Sequence, residues 1–275
     1  METAIIQWIQ SFANPFFDQL FELITMLGEE LFIVAVVALI YWTLNKEMGK
    51  YLCYSLCLSL CVNGVIKSAV QSPRPIGVEG IRSLRVETAG GYSFPSGHTQ
   101  SAATFWFSLA SWAKTRWLYV TAGIVSLLVA VSRLYLGVHW PRDVGAGLVL
   151  GILLPMLALF LYRQVQNRWL LYCITLLPLL SGLFLPDSAH YCKVLGLYVG
   201  FVLGVLFEER FVNFEVQGSL LTKAVRFLVG LVLLGVIKLG LGMLGDSAVV
   251  HIVEYGCVSF FALGVWPLLF TKLKI

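Results

Sequence analysis

The feature that most constrains this chain is a series of nine apolar runs, each separated from the next by charged or turn-forming residues. Only 12% of its 275 residues are charged, against about 25% in an ordinary soluble domain. This number of charged side chains is too small to cover the surface of a globular protein in water. Most of the exterior must therefore face hydrocarbon. The sequence therefore predicts an all-α, polytopic transmembrane helix bundle. Its nine predicted spans lie near Leu31 to Leu44, Tyr51 to Ile66, Thr99 to Ala113, Trp117 to Val131, Val144 to Leu161, Trp169 to Leu185, Val194 to Phe207, Ala224 to Leu244 and Val249 to Phe270.

The segment before the first span has its own pattern. Apolar residues recur there at three- and four-residue spacing, namely Ile5, Ile9, Phe12, Phe16 and Leu20. This spacing predicts an N-terminal interfacial helix. No basic stretch precedes a continuous apolar core, so a cleaved signal peptide is not expected. If the first span begins upstream, Glu29 and Glu30 fall inside it, which is costly unless they face a wet cavity.

The basic residues between the spans predict the orientation. Eleven of the 19 Lys and Arg residues fall on one side of the nine predicted spans and seven on the other. The positive-inside rule makes the side with eleven cytoplasmic. We therefore expect a cell-membrane protein whose C-terminus is cytoplasmic and whose N-terminus lies outside. The net charge of +4 includes no run of five basic residues, so nothing indicates a nucleic-acid partner.

Three stretches place polar and charged residues at span ends, all on the predicted non-cytoplasmic side. Three cations and two histidines that converge at one membrane face indicate an anion site with acid-base groups. The stretches are Lys67-Ser-Ala-Val-Gln-Ser-Pro-Arg74-Pro75, then Pro95-Ser96-Gly97-His98, then Ser132-Arg133 followed by His139 and Asp143.

A phosphate ester suits the cations of these stretches. A transferring phosphoryl group spreads negative charge over its oxygens, and Lys67, Arg74 and Arg133 can supply donors to it. Residues Pro95 to Gly97 read as a helix start, with the proline in the first turn and the glycine allowing close backbone approach. Free N–H groups at such a start bind phosphate oxygens, and the Ser96 hydroxyl adds one more donor.

The two histidines suit nucleophilic and acid-base chemistry. His139 and Asp143 are four residues apart, roughly one turn on the same helical face, and Pro141 between them is placed to open the next helix. The carboxylate can therefore accept the proton of one ring nitrogen and leave the other lone pair free. His139 is therefore the candidate nucleophile and Asp143 its orienting partner. His98, when protonated, is the candidate general acid for the leaving group.

In order, spacing and residue type, the three stretches resemble the signature of the type 2 phosphatidic acid phosphatase superfamily. That pattern is Lys, six residues and Arg-Pro, then Pro-Ser-Gly-His, then Ser-Arg, five residues, His, three residues and Asp. The resemblance implies hydrolysis of a phosphomonoester or diphosphate through a phosphohistidine on His139, without a metal or another cofactor. It implies that five residues hold the phosphate, namely Lys67, Arg74, Ser96, Gly97 and Arg133.

The resemblance leaves the substrate and the far C-terminus open. The commonest family layout has six spans with three before the first motif, whereas this chain has two spans before Lys67 and five after Asp143. We expect a lipid phosphate or isoprenyl diphosphate substrate, with sphingoid phosphates ranked behind. A soluble hexose phosphate, or phospholipid transport without hydrolysis, is the alternative. The chain divides into an interfacial helix over 1–29, a catalytic core over 30–165 and a transmembrane extension of open role over 166–275.

The loop between the first two motifs carries further charges. Arg82, Arg85 and Glu87 fit two interpretations equally well, as contacts to a substrate headgroup or as part of a solvated loop. Nothing in the sequence decides between these interpretations.

Overall fold

A computed structural model describes residues 1–184 and 189–275, and this part of the chain contains helices but no strand. Three of the helices, α3, α9 and α11, continue into short π-helical segments. The helices are α1 (Glu2–Gln10), α2 (Pro15–Met26), α3 (Glu30–Leu39), α4 (Lys46–Val70), α5 (Gly97–Ala113), α6 (Arg116–Tyr135), α7 (Pro141–Gln164), α8 (Arg168–Leu180), α9 (Ala189–Phe207), α10 (Leu220–Gly242), α11 (Ala248–Phe260) and α12 (Trp266–Leu273).

The apolar helices make the chain a multi-pass membrane protein, as the sequence predicts. Within the described residues, six helices are long and apolar enough to cross a bilayer, and the pair α2 and α3, bent by 47°, adds a seventh if it counts as one span. Helix α5 has 17 residues, fewer than the roughly 20 that a crossing needs. The apolar helix Arg168–Phe184 is also short. The count of nine spans therefore stays a prediction.

The N-terminal segment forms two helices where the sequence pattern predicts one. The Asn14 side chain accepts a hydrogen bond from the Phe17 backbone N–H at 3.0 Å, and Pro15 occupies the first position of α2. An Asn N-cap followed by proline starts a new helix and ends the old one. Helix α1 is tied to the loop after α4, because Gln10 Nε2 donates to the Arg82 carbonyl oxygen at 2.7 Å.

Helices α4 to α7 form an antiparallel group whose motif-bearing ends meet. Helix α4 ends and α5 begins at one end of the bundle, and α6 ends and α7 begins at the same end. Hydroxyl pairs between α4 and α5 stabilise this group, with Ser55 Oγ 2.8 Å from Ser108 Oγ. Gly151 of α7 packs directly on α5, since a Cβ there would lie 2.4 Å from the Ala103 Cβ. Small residues and hydroxyls of this kind allow close packing between helices in lipid.

Helices α9 and α11 of the C-terminal segment pack backbone to backbone. A Cβ at Gly200 would lie 2.2 Å from the Gly256 carbonyl oxygen. At the end of the bundle away from the motifs, Lys46 Nζ of α4 lies 3.0 Å from Glu208 Oε1. The neighbouring Lys50 Nζ lies 2.9 Å from Glu209 Oε1. These ion pairs join the C-terminal segment to α4 at the end opposite the candidate site.

Candidate active site

His139 and Asp143 are brought together as the spacing predicts, but His139 is not on the helix. It lies two residues before Pro141, which opens α7 as the sequence predicts. His139 Nδ1 lies 3.4 Å from Asp143 Oδ2, and the same oxygen accepts a hydrogen bond from the Trp140 backbone N–H at 2.8 Å. Both side chains are buried. The carboxylate thus caps α7 and faces one ring nitrogen, which leaves Nε2 on the opposite side of the ring.

Arg74 lies at that second nitrogen. Its Nη1 is 3.0 Å from His139 Nε2 and donates to the Val138 carbonyl oxygen at 2.9 Å. Its Nε and Nη2 donate to the carbonyl oxygens of Gly91 and Gly90. Burial lowers the pKa of Arg74 to about 10, partly opposed by the charge of Asp143, so the guanidinium is charged at neutral pH. A group that approaches Nε2 therefore meets a fixed cation.

Lys67 lies close to Arg74 at the end of α4. The Lys67 ammonium and Arg74 Nη2 both donate to the Tyr92 carbonyl oxygen. Only 7% of Lys67 is exposed, and Arg74 is half-buried, so both cations are partly or fully shielded where they contact the loop that precedes α5. Their shared acceptor brings the first motif to the second.

The second motif forms the start of α5. Ser96 is the N-cap residue, and its hydroxyl accepts from the Thr99 backbone N–H at 3.5 Å and lies 3.0 Å from the Thr99 hydroxyl. Pro95 precedes the cap, so the prediction that it occupies the first helical turn is wrong. Gly97 is the first helical residue, and a Cβ there would meet only the Asn63 side chain, at 4.0 Å, among the described residues. Because the Ser96 N–H donates to the Asp143 carbonyl oxygen and the cap takes the Thr99 N–H, the Gly97 and His98 N–H groups are the donors of this turn that remain for an anion.

Arg133 is the cation supplied by α6. It is fully buried, and its Nη1 donates to the Thr25 hydroxyl of α2 at 3.0 Å. Its buried Nε and Nη2 have no hydrogen-bond partner among residues 1–184 and 189–275. An unpaired buried guanidinium donor is costly. A bound phosphate oxygen would satisfy both of these donors.

His98 follows Gly97 and faces the junction between α2 and α3. Its Nε2 lies 3.9 Å from Glu29 Oε1, and the same carboxylate oxygen lies 2.6 Å from Arg85 Nη2. Arg85 also donates from Nη1 to the Glu22 carbonyl oxygen at 3.3 Å. Arg85 thus contacts residues of the site itself, so it is not simply part of a solvated loop, and the interpretation as a contact to a substrate headgroup stays a prediction. Arg82 instead pairs with Asp18 of α2.

The electrostatics of the site favour neutral imidazoles. Burial lowers the pKa of His139 well below its ordinary value, and the charges of Arg74 and Arg133 lower it further. Burial and the charge of Arg133 lower the pKa of His98 in the same direction. The neutral form is the one in which an imidazole nitrogen has a free lone pair.

Several neighbours of the site carry no signal in the sequence. The Ser93 hydroxyl donates to Asp143 Oδ2 and lies 3.3 Å from His139 Nδ1. Ser93 lies three residues before Ser96, but nothing in the pattern separates it from other serines. Thr25, Glu29 and Arg85 reach the site from distant parts of the chain. Of these three, Glu29 and Arg85 have a signal in the sequence, the unfavourable position of Glu29 near an apolar run and the place of Arg85 among the loop charges.

Two family models match this chain. The model described as the PAP2 superfamily matches residues 49–170. The model described as the transmembrane extension of PAP2 superfamily phosphatases matches residues 192–275. Together they cover about three quarters of the chain, and residues 1–48 precede both.

Curated relatives agree with these matches. A probable sphingosine-1-phosphate phosphatase of Dictyostelium discoideum is 33% identical over 168 residues, which is 55% of this chain and 40% of that protein. Phosphatidylglycerophosphatase B of Bacillus subtilis is 28% identical over 154 residues, 51% of this chain and 73% of that protein. The chain spans about half or less of the length of the sphingosine-phosphate phosphatases that it matches.

A solved structure shares the fold. The crystal structure of a transmembrane PAP2 type phosphatidylglycerolphosphate phosphatase from Bacillus subtilis superposes with a TM-score of 0.53 and 25% sequence identity. The superposition covers 61% of this chain and 87% of that protein. The helical fold is therefore that of a membrane PAP2 phosphatase.

Proposed function

Because the chain belongs to the PAP2 superfamily, we propose that it is a membrane-embedded phosphatase that releases phosphate from a lipid phosphate or isoprenyl diphosphate. The observation that carries the proposal is the environment of His139. One ring nitrogen faces Asp143 at 3.4 Å and the other faces Arg74 at 3.0 Å. A protein that only binds or transports phosphate needs the cations but has little use for a histidine oriented by a carboxylate.

The reaction proceeds in two displacements. In the first, His139 Nε2 attacks phosphorus, a P–N bond forms, and the P–O bond to the leaving group breaks as His98 gives its proton to the departing oxygen. In the second, neutral His98 takes a proton from water, and the hydroxide attacks phosphorus. The P–N bond then breaks, which releases inorganic phosphate and restores His139.

The cations stabilise the negative charge that develops on the phosphoryl oxygens during both displacements. Arg74 lies where Nε2 meets phosphorus, and Lys67 adds a further positive charge. Arg133 carries two buried donors that have no partner in the described part of the chain. Such preorganised donors stabilise the phosphoryl oxygens in the transition state. The Gly97 backbone N–H and the Ser96 hydroxyl add donors at the α5 N-terminus. These residues can serve the reaction without a metal.

The position of the site favours an amphiphilic substrate. It lies at the ends of α4 to α7, at headgroup level, where a lipid can enter laterally from the bilayer. By the distribution of basic residues this end faces away from the cytoplasm, which places the N-terminus outside and the C-terminus inside.

The pH dependence should follow from the two histidines. The reaction needs neutral His139 and protonated His98 in the free enzyme, and the pKa values of both are lowered. We therefore expect a bell-shaped kcat/KM whose optimum lies below the ordinary histidine pKa of about 6.5. A bound phosphate dianion favours protonated His98, so the alkaline limb of kcat should lie at higher pH than that of kcat/KM. Steady-state rates across the pH range measure both limbs. An alkaline limb of kcat/KM well above 6.5 contradicts the assignment.

Metal independence is the second expected property. Purified protein in detergent should release inorganic phosphate from a lipid phosphate at the same rate with and without EDTA, because fixed cations replace a metal. A screen of isoprenyl diphosphate, phosphatidate, sphingoid phosphate and hexose phosphate identifies the preferred class. Strict dependence on added divalent metal contradicts the mechanism. Binding of all four substrates without turnover indicates a transporter instead.

A further inference from the structure

The junction between α2 and α3 completes the candidate site from outside the matched family region. Gly28 sits against the backbone of His98, since a Cβ at Gly28 would lie 2.6 Å from the His98 carbonyl oxygen. The next residue, Glu29, is thereby placed at the His98 ring, and Thr25 one turn earlier accepts from Arg133. All three precede residue 49, where the family match begins.

The charges around His98 come from four parts of the chain. Apart from Glu29, the groups that act on its ring are three arginines and one histidine that is positive when protonated. Each of these charges lowers the pKa of His98. Glu29 is the carboxylate that the described part of the chain places against this ring, 3.9 Å from a buried Nε2. The other charged groups are Arg133 of α6, Arg74 and Arg85 of the loop between α4 and α5, and His139 before α7.

We propose that Glu29 is a positioning residue for the general acid: its carboxylate, held by Arg85 and seated by Gly28, supports the protonated form of His98 during departure of the leaving group. This inference rests on the proposed function, because it assigns a task to His98 that only hydrolysis requires.

The geometry supports this task in two ways. The carboxylate lies within the distance of about 4–6 Å over which an opposite charge stabilises an ionised group. Arg85 fixes its direction at 2.6 Å, and both side chains are about four-fifths buried, so little solvent screens them. Arg85 contacts the same carboxylate oxygen that faces His98, yet its own charge acts against a proton on His98. Glu29 and Arg85 therefore influence His98 with opposite signs.

That opposition provides the test. Glu29→Gln should lower kcat at neutral pH by about tenfold and move the alkaline limb of the pH profile down by about one unit. Arg85→Gln removes the opposing cation, so the alkaline limb should move up. Glu29→Asp keeps the charge and should restore most of the limb position. A purely structural role would lower activity in both variants without moving the limb in opposite directions.

Glu30→Gln is the matched control. Glu30 is adjacent to Glu29, but its carboxylate faces Lys238 of α10 at 3.5 Å, so its loss should leave the pH profile unchanged. If the wild-type protein releases no phosphate from any substrate, the proposed function fails. A second outcome separates the two proposals. If the wild-type protein is active and His98→Ala loses activity, the proposed function stands. If Glu29→Gln and Arg85→Gln then leave the alkaline limb in place, only the proposal for Glu29 is overturned.

Discussion

Replacement of His139 by alanine is expected to reduce phosphate release by roughly 10⁴- to 10⁶-fold, the range seen when a nucleophile is removed from a covalent mechanism. The reason is that His139 Nε2 faces Arg74 in the cluster of cations, whereas Nδ1 faces Asp143. Without this ring no P–N bond can form. Phosphate release from a lipid phosphate in detergent measures the loss.

A direct readout of the intermediate accompanies this variant. Wild-type protein quenched during turnover of a substrate with a labelled phosphoryl group should carry the label, and His139→Ala should not. His98→Ala should retain label on the protein for longer, because it removes the base that activates water. Full turnover in His139→Ala contradicts the mechanism.

The matched control for this variant is His251→Ala. His251 is another buried histidine beside a carboxylate, with its Nε2 2.8 Å from Asp246 Oδ1. It lies on α11 in the C-terminal segment and has no part in the candidate site. It should keep wild-type turnover. Equal losses in both variants would indicate damage to the fold.

The sequence could predict which motif residues meet because each lies at a helix end. Lys67 is in the last turn of α4, Ser96 caps α5, and Arg133 is in the last turn of α6. Alternation of direction along a membrane bundle brings such ends to one side, so spacing along the chain converts into proximity. The side chains of Arg74 and His139 do meet, at 3.0 Å. The roles of these residues remain predictions.

What the sequence could not predict depends on contacts between distant segments. His139 was assigned to a helical face with Asp143, but it precedes α7, and the pair meets because Asp143 caps that helix. Thr25 and Glu29 reach the site only because Gly28 packs against His98. No local periodicity encodes such a contact. The break between α1 and α2 does have a local signal, the Asn14-Pro15 pair. The amphipathic spacing continues across this pair and therefore favoured one helix.

Replacement of Asp143 by asparagine is expected to have the second largest effect, a loss of kcat on the order of 10³- to 10⁴-fold with little change in phosphate affinity. The amide is nearly the same shape, but one carboxylate oxygen, Oδ2, both accepts from the Trp140 N–H and lies 3.4 Å from His139 Nδ1. With the amide oxygen at this position, α7 keeps its cap, but the negative charge beside His139 is lost. With the NH₂ group there, the cap is lost, and a donor facing Nδ1 moves the ring proton to Nε2.

Either arrangement weakens His139. The first removes the charge that stabilises a positive ring as the P–N bond forms, and the second removes the lone pair that must attack phosphorus, so the loss of one charged group should be large. Turnover and competitive inhibition by inorganic phosphate, measured on the same preparation, separate chemistry from binding. Because Lys67, Arg74 and Arg133 are unchanged, the inhibition constant should stay within a few fold of the wild-type value. A variant that keeps more than about a tenth of wild-type kcat would show that Asp143 only caps α7, and the nucleophile would then need another orienting group.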